Sequence, residues 1–249
     1  MLFRSDYLNR DSFFTGVSEG VISFDRIIKM FNLVDDELVI EEKGIYSIEN
    51  FLIARRLMYW QVYLHKTVIS GEQLLVKILK RAKELSTKGV VLFATPALQH
   101  FLQQSVTEKD FFSKNVHLEQ FLRLDDQDIF ASVKAWVLHP DKILSTLCSM
   151  LTKRSLYKIE INNTAPDVQR MQMLEENTAA ALNISLEDAS YFVFTDVIEN
   201  RAYNAGNSNI NILLKNNEII DIAKASDLSN LESLDKTVKK HILCYPRII

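Results

Sequence analysis

RSDYLNRDSFFTG at residues 4–16 and RRLMYWQVYLHK at residues 55–66 decide how this chain is read. Arg4, Tyr7 and Asp11 are spaced i, i+3, i+7, and Arg55, Tyr59 and Tyr63 are spaced i, i+4, i+8, so on helices each trio shares one face. The spacing predicts two helices, each with a polar stripe. Guanidinium groups, hydroxyl-bearing aromatic rings and a carboxylate suit a ligand that is phosphorylated, hydroxylated and flat, which is the chemistry of a nucleotide.

Composition agrees with a helical protein. Of 249 residues 47% are apolar, and 6 Gly and 4 Pro are too few for a fold built mainly of hairpins and loops. A net charge of −3 makes no field that would hold a polyanion, so nucleic acid is not expected as a partner. Cys148 and Cys244 stand far apart without a C-x-x-C motif and read as plain thiols in a reducing compartment. No apolar run approaches the ~20 residues of a membrane span, and the first residues do not form a signal or transit peptide. The expectation is a cytoplasmic protein with no membrane partner.

The periodicities divide the chain into three parts. Residues 1–90 and 91–155 read as helical. Ser23 is placed to cap a short helix through Phe31 with Phe24, Ile27, Ile28 and Phe31 on one face, and ELVIEE at 37–42 reads as a hairpin or extended segment. Ser47 signals a long helix from about 48 to 66 whose stripe Ile53, Leu57, Trp60 and Leu64 is expected to pack inward. A further helix is expected from about 71 to 85, with Leu74, Leu75, Ile78, Leu79 and Ala82 buried and Lys77, Lys80, Arg81 and Lys83 on the other side. Pro96 marks a helix start, Asp126 precedes another, and Pro140 separates the last two of the middle segment. Residues 156–249 change period: YKIEI, YFVFTDVIENRAYN, INILL, EIIDIA and KKHILCYP read as strands around one amphipathic helix, with a hairpin turn at 215–217. The fold class is thus mainly α, followed by a smaller α+β domain with an antiparallel sheet.

Other constellations carry no chemistry on this reading. His65, His100, His117, His139 and His241 stand singly, without a partner at metal-ligand spacing. Asp125, Asp126 and Asp128 lack the Gly and closing Glu of a calcium loop and read as helix capping. Neither a Rossmann nor a P-loop motif is present. Tyr191, Phe192 and Phe194 read as core packing, since a base-stacking sheet would need a basic surface.

The two opening stretches also carry a family resemblance. MLFRSDYLNRDSFFTG resembles the segment D-x-D-R-M-D-Y-x-x-R-D-S-x-x-T-G of HD-domain phosphohydrolases, in the branch related to dNTP triphosphohydrolases. Arg4, Asp6, Tyr7, Arg10, Asp11, Thr15 and Gly16 match, while Phe3 stands where that family has its last metal-ligating Asp. The resemblance implies an HD-type helical bundle, Arg4 and Arg55 against phosphates, and Tyr7, Asp11 and Tyr63 about the sugar. Tyr59 falls where several relatives carry a His. It implies cleavage of a dNTP to deoxynucleoside and triphosphate, assisted by magnesium, manganese or a transition metal, and commonly a homo-oligomer.

Positioning without an activated nucleophile leaves most of a hydrolytic barrier standing. The His and His-Asp ligands of the family are not found in this sequence, so no metal is expected to bind this chain alone and the chain alone is expected to be inactive. The expectation is an N-terminally truncated, catalytically incomplete chain. The alternative is a non-catalytic nucleotide-binding or oligomeric interaction protein.

Overall fold

The computed structural model describes residues 2–113, 115–200, 209–226 and 237–247, the side chains of residues 2–5 excepted. In chain order the elements are α1 (Leu2–Thr15), α2 (Phe24–Lys29), β1 (Phe31–Val34), β2 (Glu37–Glu41), α3 (Ile45–Met58) and α4 (Lys66–Thr87). A helical run follows: α5 (Pro96–Gln103), α6 (Glu108–Ser113), α7 (Asn115–Arg123), α8 (Asp126–Trp136) and α9 (Lys142–Thr152). Then come β3 (Lys158–Asn162), α10 (Val168–Leu182), α11 (Leu186–Ala189), β4 (Phe194–Asn200), β5 (Asn211–Leu213), β6 (Ile219–Asp221), α12 (Ile222–Ala225) and β7 (Val238–Tyr245). Helices dominate, with strands concentrated late in the chain, which is the expected class.

The chain divides into two compact units. The first comprises Met1–Val68, Asn162–Thr164 and Asp196–His241. Its core joins Leu8 of α1 to Ile48, Phe51, Leu52 and Met58 of α3, with Ile27, Ile40, Ile212 and Ile222 from α2, β2, β5 and α12. Helix α3 is apolar at seven of the eleven positions from Ile48 to Met58, so two stripes compete for the interior. The stripe through Ile48, Phe51, Leu52 and Met58 wins, whereas Leu57 of the expected stripe stays 38% exposed and Ile53, Trp60 and Leu64 are only half-buried.

The unit's sheet has the order β1-β2-β5-β6. β1 and β2 form an antiparallel hairpin whose turn residues, Asp35 and Asp36, both have positive φ, the twist that a two-residue connection needs. β5 joins β2 in parallel through Ile40 and Ile212 and pairs antiparallel with β6 across the expected turn, where Asn217 takes a φ of 64°. Helix starts differ from the expected caps. The Ser23 side chain makes no capping bond, Ile28 of the expected apolar face is exposed, and α3 begins at Ile45 rather than beyond Ser47, whose hydroxyl instead accepts from Arg26 Nε.

The second unit comprises Ile69–Ile161, Ala165–Thr195 and Ile242–Ile249. Trp136, Leu144, Leu147, Tyr157 and Phe192 fill its core, and the Trp136 indole N–H donates to the carbonyl of Phe93. Its helices are capped by Thr95, Asp125, Asp141, Asp167 and Ser185, each accepting from an N–H of its first turn, and Asp125 with Asp128 closes a capping box. The second sheet has the order β3-β7-β4. Tyr191 and Phe192 lie in a turn after α11, so the expected strand starts only at Phe194; its residues 201–204 lie outside the described ones. Arg81 is not on a solvated face. Its guanidinium bonds Asp141 through Nε at 3.1 Å and Nη2 at 2.7 Å. Among the described residues no helix is long and apolar enough to cross a membrane.

Candidate functional site

Helix α1 ends where the motif ends. Thr15 Oγ1 donates back to the carbonyl of Asp11 at 2.6 Å, Gly16 takes the left-handed conformation with φ of 71°, and its N–H returns to the Ser12 carbonyl. A residue without a Cβ accepts that φ at least cost, which accounts physically for the T-G that closes the stretch. Asp6 and Arg10 pair with each other at 2.9 Å on the exposed side of the helix. Tyr7, Leu8 and Asp11 turn inward to differing depths, with Leu8 fully buried and the other two half-buried. The side chains of Phe3 and Arg4 lie outside the described ones.

Helix α3 supplies the second stripe, and it does not continue as a plain α-helix. Tyr59–Tyr63 form one π-helical turn, closed by the Leu64 N–H to the Tyr59 carbonyl at 2.7 Å. At about 100° per residue an unbroken α-helix would carry Tyr63 about 80° round from Arg55, and the extra residue in the widened turn sets it back by about one residue's rotation. The three side chains therefore stay on a narrow line.

The two stripes meet. Tyr63 donates its phenol hydrogen to Asp11 Oδ2 at 2.6 Å. The Tyr63 ring stands edge-on to Tyr7 at 6.1 Å and to Tyr59 at 5.0 Å, and the Arg55 guanidinium lies 5.4 Å from the centre of the Tyr59 ring. Burial, and then the hydrogen bond to the Asp11 carboxylate and its charge, push the Tyr63 phenol well above its ordinary value. Tyr63 therefore keeps its proton and Asp11 faces it as an acceptor. Among the described residues no cation lies at ion-pair distance from Asp11. Behind the site, Gln61 donates to Glu19 at 3.2 Å, linking the π-turn to the short 3-10 turn Ser18–Gly20 that follows α1.

The structure thus brings Tyr7, Asp11, Arg55, Tyr59 and Tyr63 together. The π-turn is the feature of the site that sequence reasoning missed, because it acts through backbone geometry that no side-chain pattern signals.

The metal that HD-type chemistry implies has no fitting donor set here. Among the described residues no three His, Cys, Asp or Glu side chains are grouped to hold an ion. No step of the chemistry is therefore assigned to a metal on these residues.

Residues 22–112 match the family described as HD associated region. The chain is 32% identical, over 98% of its own length, to the uncharacterized protein YwfO of Bacillus subtilis (strain 168), of which it covers 55%. It is 50% identical to a phosphohydrolase of Bacteroides thetaiotaomicron VPI-5482 whose crystal structure superposes with a TM-score of 0.88, covering 98% of this chain and 60% of that one. A hypothetical protein of Aquifex aeolicus, at 24% identity and a TM-score of 0.58, shares the fold. The chain thus spans about half the length of the B. subtilis relative and 60% of the B. thetaiotaomicron phosphohydrolase.

Proposed function

We propose that the face formed by α1 and the α3 π-turn holds the sugar and phosphates of a deoxynucleoside triphosphate, as the substrate-holding part of an HD-type phosphohydrolase. Arg55 grips phosphate oxygens through its fork of donors. Asp11 accepts a hydrogen bond from a sugar hydroxyl on the carboxylate oxygen that Tyr63 does not occupy. The rings of Tyr7, Tyr59 and Tyr63 flank the sugar and exclude water from it. The observation that carries this reading is the 2.6 Å hydrogen bond from Tyr63 to Asp11, which unites stripes lying some fifty residues apart in sequence. The 50% identity to a phosphohydrolase supports the reaction class. Cleavage itself is assigned to no residue of this chain.

Calorimetry of the 249-residue chain with dATP and dGTP tests the proposal. Saturable heat that Asp11→Ala weakens at least tenfold is expected. No heat at millimolar ligand, or wild-type affinity in Asp11→Ala, overturns it.

A further inference from the structure

Gly20 is buried at the end of the 3-10 turn that follows α1, and its surroundings leave no space for a side chain. A Cβ placed there would lie 2.7 Å from Met58 Sδ, 2.9 Å from Met58 Cγ and 2.8 Å from Ser12 Cβ, all well inside van der Waals contact. Ser12 follows Asp11 on α1, and Met58 precedes Tyr59 on α3. Met58 is wholly buried and Ser12 nearly so, and the Ser12 hydroxyl is tied to the Val17 carbonyl at 2.7 Å, so neither neighbour is a loose surface group that could swing aside. The φ of Gly20 lies outside the left-handed region that Gly16 and Gly89 occupy, so backbone conformation does not demand glycine here. The close approach does.

We infer that Gly20 is the spacer that lets α1 seat against α3, and is therefore a positioning residue for the Asp11–Tyr63 pair. The functional part of this inference rests on the nucleotide-site reading of that pair. A methyl group at Gly20 acts as a wedge against Ser12, next to Asp11, and against Met58, next to Tyr59 at the start of the π-turn that ends in Tyr63. Relieving contacts of 2.7–2.9 Å to the ~3.7 Å of ordinary packing takes about 1 Å at Ser12 and Met58, and a shift of that size between α1 and α3 carries the 2.6 Å bond from Tyr63 to Asp11 past hydrogen-bonding distance.

Gly44 supplies the control. A Cβ there would lie 2.7 Å from Ile40 Cγ2 and 3.0 Å from Met30 Cβ, a comparable clash in the same unit that touches neither α1 nor the π-turn. The test is a double-mutant cycle of Asp11→Ala and Tyr63→Phe, read by urea denaturation without nucleotide, in three backgrounds: wild type, Gly20→Ala and Gly44→Ala. Coupling between Asp11 and Tyr63 is expected in wild type and Gly44→Ala and lost in Gly20→Ala. Equal coupling in all three, or equal loss in both glycine variants, overturns the inference.

Should Gly20→Ala alone not fold, the cycle is run on Gly20→Ala with Met58→Ala. The truncated side chain leaves space into which the turn slides away from Ser12, and coupling should match that of Met58→Ala alone; its loss there also overturns the inference. dATP titration then separates the two claims. The dissociation constant should rise at least tenfold in Gly20→Ala and change less than twofold in Gly44→Ala. Coupling that behaves as expected without any dATP binding in wild type leaves Gly20 as the spacer and removes the nucleotide reading.

Discussion

On α4, Arg81 bonds Asp141 through two hydrogen bonds, approaches Glu84 and Asp188 at 3.7 and 3.6 Å, and lies 5.4 Å from the centre of the Tyr191 ring, while the Tyr191 hydroxyl donates to Glu84. On α1 and α3, Asp11 receives one hydrogen bond from a phenol. Both regions combine arginine, tyrosine and carboxylate, yet they differ in how far their hydrogen-bonding capacity is used up within the protein. Arg81 and Asp141 are 15% and 16% exposed and spend their charges on each other. Asp11 has a hydrogen bond on one carboxylate oxygen, Oδ2, and none on the other among the described residues. A network that satisfies itself serves stability, and one that leaves acceptor capacity at a half-buried face can serve a ligand.

Arg81→Ala should break this contrast most severely. It leaves Asp141 largely buried without its counter-ion, and breaking such a pair costs about 3 kcal/mol of folding free energy. Urea denaturation should register that loss, with dATP affinity of the folded fraction within twofold of wild type. A collapse of affinity at unchanged stability would assign the network to the ligand instead. Asp11→Ala should do the reverse: at least tenfold weaker dATP binding, about 1.4 kcal/mol, with folding stability changed by less than about 1 kcal/mol. A large stability loss in Asp11→Ala would make the site structural.

The contrast was only half legible in the sequence. The stripes on α1 and α3 could be read because helical spacing alone places Tyr7 with Asp11 and Arg55 with Tyr59. The caps at Asp125 and the hairpin at 215–217 could be read because their chemistry is local. Three features could not. IENFLIARRLM offers two apolar stripes, and packing against residues distant in sequence, among them Leu8, Ile40 and Ile212, decides which one is buried. Arg81 looks like one more cation on a basic helix face until Asp141, sixty residues on, is folded against it. The parallel pairing of β2 with β5 joins strands that no short-range pattern connects.

The acid limb of stability should sharpen the comparison further. Burial alone would raise the Asp141 carboxyl, but the hydrogen bonds from Arg81 and from the Leu144 N–H outweigh it and hold the group below the usual carboxylate range. A depressed folded-state value contributes stability that is present above the ordinary aspartate value of about 3.9 and is lost as pH falls through the folded value. Thermal melts from pH 7 downward should therefore show wild type losing stability below about pH 4 more steeply than Asp141→Asn, which starts lower. Parallel curves for the two proteins would remove Asp141 from the account.

Tyr63→Phe should have the smallest effect and test the other half of the comparison. Removing one half-buried hydroxyl costs about 1 kcal/mol, since the Asp11 carboxylate regains water in place of the phenol. The pH dependence has the opposite sign to that of Asp141. Tyr63 is held above the ordinary phenol value of about 10, so its contribution is complete below that pH and is lost as pH rises, when the unfolded chain sheds a proton that the folded chain retains. Tyr191 is pushed up to about 12 and Tyr157 is also raised, so wild type alone cannot isolate the effect. The difference between wild type and Tyr63→Phe can: the stability gap should be constant from pH 6 to 9 and narrow above about pH 10. A gap that stays constant through pH 11 would mean that Asp11 does not hold the Tyr63 proton, and the two stripes would then lie side by side without the bond that makes them one site.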